Sequence, residues 1–192
     1  MEKDIKHTLN SETVDWKCEL KYLGVNLVSG NVLKFNLQTV RQKDFRAFNG
    51  LLSKIGTRSP MVTLSIIDSF CVPLLSYGVE VLKLRKSDYN TLDAAYNAAF
   101  KKLFASYDKS VIRGCQYYCY KLPFSLKIDV NCLKFYFKMS RLNRNDMLRA
   151  LFILSGQYEF KCLLKQYKLD DQGVPGSWEF SIWQAFSKEI MI

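Results

Sequence analysis

The sequence predicts a mainly α-helical protein, a helical bundle preceded by an N-terminal β-hairpin. Three observations carry this. Between residues 16 and 36 extended, apolar-rich segments flank turn chemistry at Ser29-Gly30-Asn31. From Asn36 onward the apolar spacing becomes that of a helix. Helix stop and start signals then punctuate the chain at Gly56, Ser59-Pro60, Gly78, Ser87, Leu122-Pro123 and Gly156. With 192 residues, 48% of them apolar and 14% aromatic, the chain can bury a substantial core, which argues against disorder throughout.

Residues 1–15 are polar and read as a loose tail. Glu19 to Val28 alternates, is rich in Leu, Tyr and Val, and reads as one extended arm. Val32-Leu33-Lys34-Phe35 reads as the returning arm of a single hairpin. Such a hairpin is marginal by itself in water and must lean on a sheet or on helices. Leu37, Val40, Phe48, Leu51, Leu52 and Ile55 then fall on one side of a helix over 37–56, with Lys43, Arg46 and Lys54 opposite and Gly56 as the stop. Pro60 occupies the first position of a second helix, where its missing N–H costs nothing; this helix runs to about Tyr77, bends near Pro73 and ends at Gly78. Ser87 caps a third helix with Tyr89, Leu92, Tyr96, Ala99, Phe100 and Leu103 on its apolar face and Lys101 and Lys102 off it. Helices over 110–121 and 125–143 flank Leu122-Pro123, and another over 145–155 ends at Gly156. The stretch after it is less regular: Gly173-Val174-Pro175-Gly176 is a turn, and Trp178, Phe180, Ile182, Trp183 and Phe186 suggest a short apolar closing helix. The expected organisation is a polar tail (1–15), a hairpin (16–36), a helical domain (37–156) and a C-terminal extension (157–192).

Charge is the next constraint. Twenty-eight Lys and Arg oppose eighteen acids, a formal net charge of +10. The excess is concentrated: residues 34–58 hold six basic groups and one acid, and residues 83–149 hold fourteen and five. A polycationic middle favours a polyanionic partner, nucleic acid first. The charged N-terminus lacks the apolar core of a signal peptide, so an intracellular location, nuclear or cytoplasmic, is expected, and disulfides are not. The most apolar window, Met61 to Leu84, is interrupted by Asp68, Pro73, Gly78 and Glu80 and reads as a buried helix, so no membrane partner is expected.

The helix from Leu126 to Leu142 carries a sharper signal. Lys127, Lys134, Lys138 and Arg141 plot within about 60° of one another, while apolar side chains fill most of the remainder. No acid lies in the stripe to relieve the repulsion, and a phosphate backbone would; an ordinary solvated face is the plainer alternative. The candidate nucleic-acid-binding set is therefore Lys43, Arg46, Lys54, Lys101, Lys102, Lys127, Lys134, Lys138 and Arg141. Six cysteines raise the question of metal, but Cys115 and Cys119 have no second pair at finger spacing and the one histidine, His7, is remote, so no metal ligands are assigned and the cysteines read as small core residues. Asp170-Asp171 is the one adjacent carboxylate pair, set in a polar loop without metal-ligand context, and no catalytic residue is assigned.

Lys21-Tyr22-Leu23-Gly24-Val25, followed by a basic helix, then Val72-Pro73-Leu74-Leu75-Ser76-Tyr77-Gly78-Val79-Glu80 and a capped helix ending in Lys101-Lys102-Leu103-Phe104, resembles in order and spacing the reverse transcriptases of non-LTR (LINE-like) retrotransposons. The resemblance covers about residues 12–105 and continues more faintly to about 155. It implies that Tyr22, Leu23 and Gly24 lie in a primer-grip hairpin and that the helices after it form a thumb-like domain gripping an RNA/DNA template-primer duplex. The family's catalytic Asp-Asp hairpin would precede Tyr22, and the twenty residues before Lys21 do not supply it. The resemblance thus implies a fragment of an RNA-directed DNA polymerase that is not catalytic alone, with Mg2+ expected only in a complete polymerase. It also implies that Leu20, Tyr22, Val25 and Leu27 have lost cover from a palm domain, so self-association through the hairpin is expected. The alternative class is a retroelement-derived structural or protein-interaction module that presents its aromatic residues as a docking surface. Salt separates the two, because phosphate binding weakens steeply with ionic strength and apolar docking does not.

Overall fold

The computed structural model describes residues 7–9, 12–14, 17–30, 34–56, 59–142, 145–171 and 173–191. It is mainly helical, with an N-terminal antiparallel hairpin before a helical bundle. The chain divides into two compact units, Met1–Val40 and Arg41–Ile192.

The first unit holds two small sheets. Strands β1 (His7–Leu9) and β2 (Glu12–Val14) pair antiparallel, His7 opposite Val14 and Leu9 opposite Glu12, so the tail expected to be loose contains a hairpin. Thr8, Thr13 and Val14 are strand-favouring residue types that overall polarity conceals. The second sheet corrects the single long arm expected over Glu19–Val28. That run breaks into β3 (Glu19–Tyr22) and β4 (Val25–Val28), with Tyr22 opposite Val25 across a two-residue turn. Leu23 and Gly24 both have positive φ, 45° and 84°, as a type I′ turn requires. Strand β5 (Lys34–Phe35) pairs with β4, Leu27 opposite Phe35. Of the expected turn and returning arm, Asn31, Val32 and Leu33 lie outside the described residues. Glu19 organises this sheet, accepting from Asn26 Nδ2 at 2.8 Å and Asn36 Nδ2 at 3.0 Å. Asn36 Oδ1 in turn accepts from the backbone N–H of Gln38 at 3.0 Å and starts the next helix.

That helix, α1 (Leu37–Ile55), ends where expected, at Gly56 with φ 70°. Helix α2 (Pro60–Phe70) and the short α3 (Val72–Ser76) are the second expected helix, broken at Cys71 ahead of Pro73. Gly78, at φ 70°, then leads into a single 3-10 turn, Val79–Val81. Helix α4 (Lys86–Phe104) begins one residue ahead of the expected cap: Asp88 Oδ2 accepts from the Arg85 N–H at 2.8 Å, while Ser87 lies inside the helix with its carbonyl bonded to Thr91. Helix α5 (Lys109–Tyr118) is capped by Asp108, which accepts from Ser110 N at 2.6 Å.

Helix α6 (Phe124–Ser140) is the axis of the bundle, packed against α4 and, beyond it in sequence, α8 and α9. Phe124, Ile128 and Leu133 on it are at most 1% exposed, each such burial contributing about 1.5–3 kcal/mol. The stop expected at Gly156 is not a stop. Helix α7 (Asp146–Leu151) runs through a π-turn, Phe152–Gly156, into α8 (Gln157–Tyr167). Gly156 is there for closeness: a Cβ would stand 2.9 Å from Phe152 Cδ2 and 3.2 Å from the Tyr136 ring on α6. The closing helix α9 (Pro175–Ile190) is also long, 16 residues, with Pro175 at its first position. Its Trp178, Ile182 and Phe186, four residues apart, are at most 2% exposed, and Trp178 meets Phe137 and Phe160 edge-on at 5.1 and 6.0 Å.

Candidate nucleic-acid interface

On α1 the apolar face is buried through Phe48 and Leu52, which join Ile67, Cys71 and Ala99 in a core cluster. Lys43, Arg46 and Lys54 stand exposed on the other side, as their spacing requires, and none is in an ion pair among the described residues. Helix α4 brings a further cation against α1. Lys102 Nζ donates to Asn49 Oδ1 at 3.3 Å and lies 5.8 Å from the Phe48 ring centroid. Lys101, one residue back, lies over Tyr107 at 6.0 Å. Lys43, Arg46 and Lys54 thus form the exposed cationic face of α1, while Lys102 reaches α1 from α4 at its Asn49 and Phe48 side.

The α6 stripe is arranged differently from expectation. Lys127 and Lys134 both meet acids, supplied by other helices. Lys127 Nζ donates to Asp68 Oδ1 on α2 at 3.0 Å and to Tyr96 Oη on α4 at 2.9 Å. Its ammonium also sits 4.4 Å from the Tyr96 ring centroid. Lys121, in the link between α5 and α6, reaches the other Asp68 oxygen at 2.6 Å. Burial alone would raise the Asp68 carboxyl, but Lys127 and Lys121 outweigh it and hold it below the ordinary carboxylate value. Burial lowers the Lys127 ammonium, and Asp68 offsets part of that. Lys134 pairs with Glu179 on α9 at 2.7 Å; both side chains are substantially exposed, so the pair contributes about 1 kcal/mol at most. Lys138 is exposed, and Arg141, just past the helix end, stacks on the Phe137 ring at 4.0 Å. The stripe therefore divides into an internally paired half, Lys127 and Lys134, and an exposed half, Lys138 and Arg141.

Tyr22, Leu23 and Gly24 form the β3–β4 turn, with Tyr22 61% and Leu23 72% exposed. Leu20, expected to lack cover, is 55% exposed, whereas Val25 and Leu27 are half-buried. Asp171 is exposed in a turn, and the Asp170 carbonyl accepts from Trp178 Nε1 at 3.2 Å, tying that loop to α9. The cysteines are not uniformly core residues: Cys71, Cys119 and Cys132 are buried, Cys115 is half-buried, and Cys18 and Cys162 are exposed. Among the described residues no group of three or more His, Cys, Asp or Glu side chains converges as a metal site. One stretch, Pro60–Val81, is long and apolar enough to cross a membrane by length and composition, with a third of its most apolar window buried. Within it Asp68 is held by two lysines, and Leu64, Ile67, Leu75 and Val79 face the core.

The residues that sequence reading missed lie around Asp68. A cleft of about 630 Å3 opens between α2, the α5–α6 link, α6 and α9, lined by Asp68, Tyr120, Lys121, Lys127, Lys134 and Trp183 among others. The signal was a carboxylate in the most apolar helix of the chain, since a buried charge demands a partner. Comparison with protein families, with curated proteins and with solved structures finds no match for this chain.

Proposed function

We propose that the chain is the primer-grip and thumb segment of a retroelement reverse transcriptase, which holds an RNA/DNA template-primer duplex without sequence preference and does not catalyse alone. The observation that carries the binding half of this reading is the cationic face of α1. Lys43, Arg46 and Lys54 stand exposed on it without a carboxylate in an ion pair with them among the described residues. Phosphate contacts of this kind fix the position of a duplex and read no sequence. Lys138 and Arg141 add exposed cations, while Lys127 and Lys134 line the cleft with their acid partners instead of an outer face. The polymerase assignment rests on the ordered motifs around Tyr22-Leu23-Gly24 and Pro73 to Glu80. The catalytic metal ions, Mg2+ in a complete polymerase, need close carboxylates of the kind that the Asp170-Asp171 turn does not offer.

The test is a salt titration of duplex binding by fluorescence anisotropy. Replacing Lys43, Arg46 and Lys54 together by alanine removes about three phosphate contacts and flattens the log–log salt slope by nearly three, equally for all sequences. Replacing Lys134, Lys138 and Arg141 flattens it by about two, because Lys134 answers to Glu179 first. A slope unchanged by both triple variants sinks the reading.

The alternative, a protein-interaction module, is favoured by one observation. Met147, Leu151, Leu154 and Tyr158 recur at steps of four, three and four along α7 and α8 and are 68%, 48%, 82% and 76% exposed. The seam runs from α7 through the π-turn into α8, with Asp146 and Arg149 at one end and Glu159, Lys161 and Lys165 at the other.

A further inference from the structure

The geometry points to a second anion-binding site, separate from the cationic face of α1: the cleft between α2, the α5–α6 link, α6 and α9 binds a nucleoside phosphate, its phosphate on Lys121 and Lys127 and its base on the Tyr120 ring. The inference does not depend on α1 holding a duplex.

Charge comes first. Lys121 and Lys127 converge on one carboxylate, Asp68, at 2.6 and 3.0 Å, and all three side chains are about one-fifth exposed. The second carboxylate lining the cleft, Glu179, is taken by Lys134. The charged lining thus comprises three ammonium groups and two carboxylates, leaving one net positive charge, at the one-fifth-exposed cluster of Lys121 and Lys127 around Asp68. Donor capacity follows. An ammonium has three donors; Lys121 uses one on Asp68, and Lys127 uses two, on Asp68 and Tyr96. The remaining donors suit an oxyanion with several acceptor atoms, as a phosphate is.

The ring platform is independent of the charge. Helix α5 closes with the Lys121 N–H bonded to the Gln116 carbonyl at 2.8 Å and the Tyr120 N–H bonded to the Tyr117 carbonyl at 3.0 Å. This puts Tyr120 at the left-handed position of a Schellman closure, φ 54°, where glycine would serve without strain. The tyrosine there is 78% exposed, yet its ring is held by stacking on Trp183, centroids 5.9 Å apart and planes 26° apart. Trp183 is itself stacked on Tyr117 at 5.8 Å and 6°. The result is an exposed aromatic face, fixed on one side by an indole, directly next in sequence to the phosphate-binding Lys121. Asn131, one turn beyond Lys127 on α6, also lines the cleft and supplies an amide that can both donate and accept, as a base edge or ribose requires. The volume, about 630 Å3, lies within the range of small-ligand sites.

The test is calorimetric titration of the full chain with adenosine monophosphate, adenosine, inorganic phosphate and a short single-stranded oligonucleotide carrying a terminal phosphate. Adenosine monophosphate is expected to bind at least about tenfold more tightly than adenosine or phosphate alone, because both elements are engaged. Tyr120→Gly keeps the left-handed backbone and removes the ring, and should weaken the nucleotide about tenfold without altering the circular dichroism spectrum. Lys121→Gln should weaken the nucleotide and leave adenosine unchanged, and Tyr120→Phe should bind as the parent does. If the oligonucleotide binds more tightly than the mononucleotide and Tyr120→Gly removes that advantage, the ligand is an unpaired strand end, and if it binds less tightly, a free nucleotide; an oligonucleotide advantage that survives Tyr120→Gly belongs to the α1 face and counts against the strand end. Binding of neither, or nucleotide binding indifferent to both Tyr120→Gly and Lys121→Gln, overturns it.

Discussion

Asp44 sets a pH dependence that can be worked from its surroundings. It lies on the inward face of α1, 6% exposed, among Phe48, Ile67, Cys71, Leu75, Tyr96 and Ala99. It is in no ion pair among the described residues, and burial pushes its carboxyl from the ordinary 3.8 up to about 7. Burial, with the same carboxylate beside it, pushes the neighbouring Cys71 thiol up to about 11. In the unfolded chain Asp44 releases its proton near 3.8, so between pH 3.8 and about 7 the native state holds one proton more than the unfolded state. Stability from this group is complete below the lower value and falls as pH rises, by about 1.4 kcal/mol per pH unit, until the folded carboxyl ionises. The full window is worth about 4 kcal/mol at most. A water in the adjoining void of about 10 Å3 would solvate the carboxylate and reduce this figure. Asp44→Asn removes the titration while keeping the shape. Urea unfolding of both proteins from pH 4.5 to 8 should therefore show the variant gaining on the parent by up to about 3 kcal/mol as pH rises. Other carboxylates titrate in both proteins and cancel. A difference between the two that stays flat with pH would mean that Asp44 is ionised and solvated in the native state.

Three further outcomes are expected. Gly156→Ala should lower thermal stability by up to about 2 kcal/mol, since crowding Phe152 and Tyr136 outweighs the helix propensity gained; a raised melting midpoint would show that the rings swing aside. The purified chain should not extend a primer on an RNA template with deoxynucleotides and magnesium or manganese; extension lost on Asp170→Asn and Asp171→Asn would locate an active site in that turn, and extension retained would locate it elsewhere. For self-association, light scattering on Leu20→Lys with Tyr22→Lys, and on Leu154→Lys with Tyr158→Lys, identifies the contact as hairpin or α7–α8 seam by which pair yields monomers. If the parent is monomeric at high concentration, neither surface is a self-contact.

Much of the architecture is legible in the residues because it depends on local rules. The extent of α1 follows from its apolar spacing and from Gly56, and the break near Pro73 from a missing N–H; the cations of α1 emerge where the spacing puts them. Local rules failed where one residue type serves two purposes. A glycine can end a helix or admit a neighbouring ring, and only the position of Tyr136 on α6 decides that Gly156 does the second. Likewise Leu23 reads as a strand residue until cross-strand pairing of Tyr22 with Val25 turns it into a corner. The α6 stripe is the clearest case. Its spacing was right, but repulsion within one helix is relieved by whatever packs beside it, and Asp68 and Glu179 are remote from it in sequence. Sequence alone therefore determined which side chains are cationic and which face of each helix they occupy. Tertiary structure decided which of those charges were already answered, because pairing depends on distances of a few ångströms between elements that sequence order does not bring together.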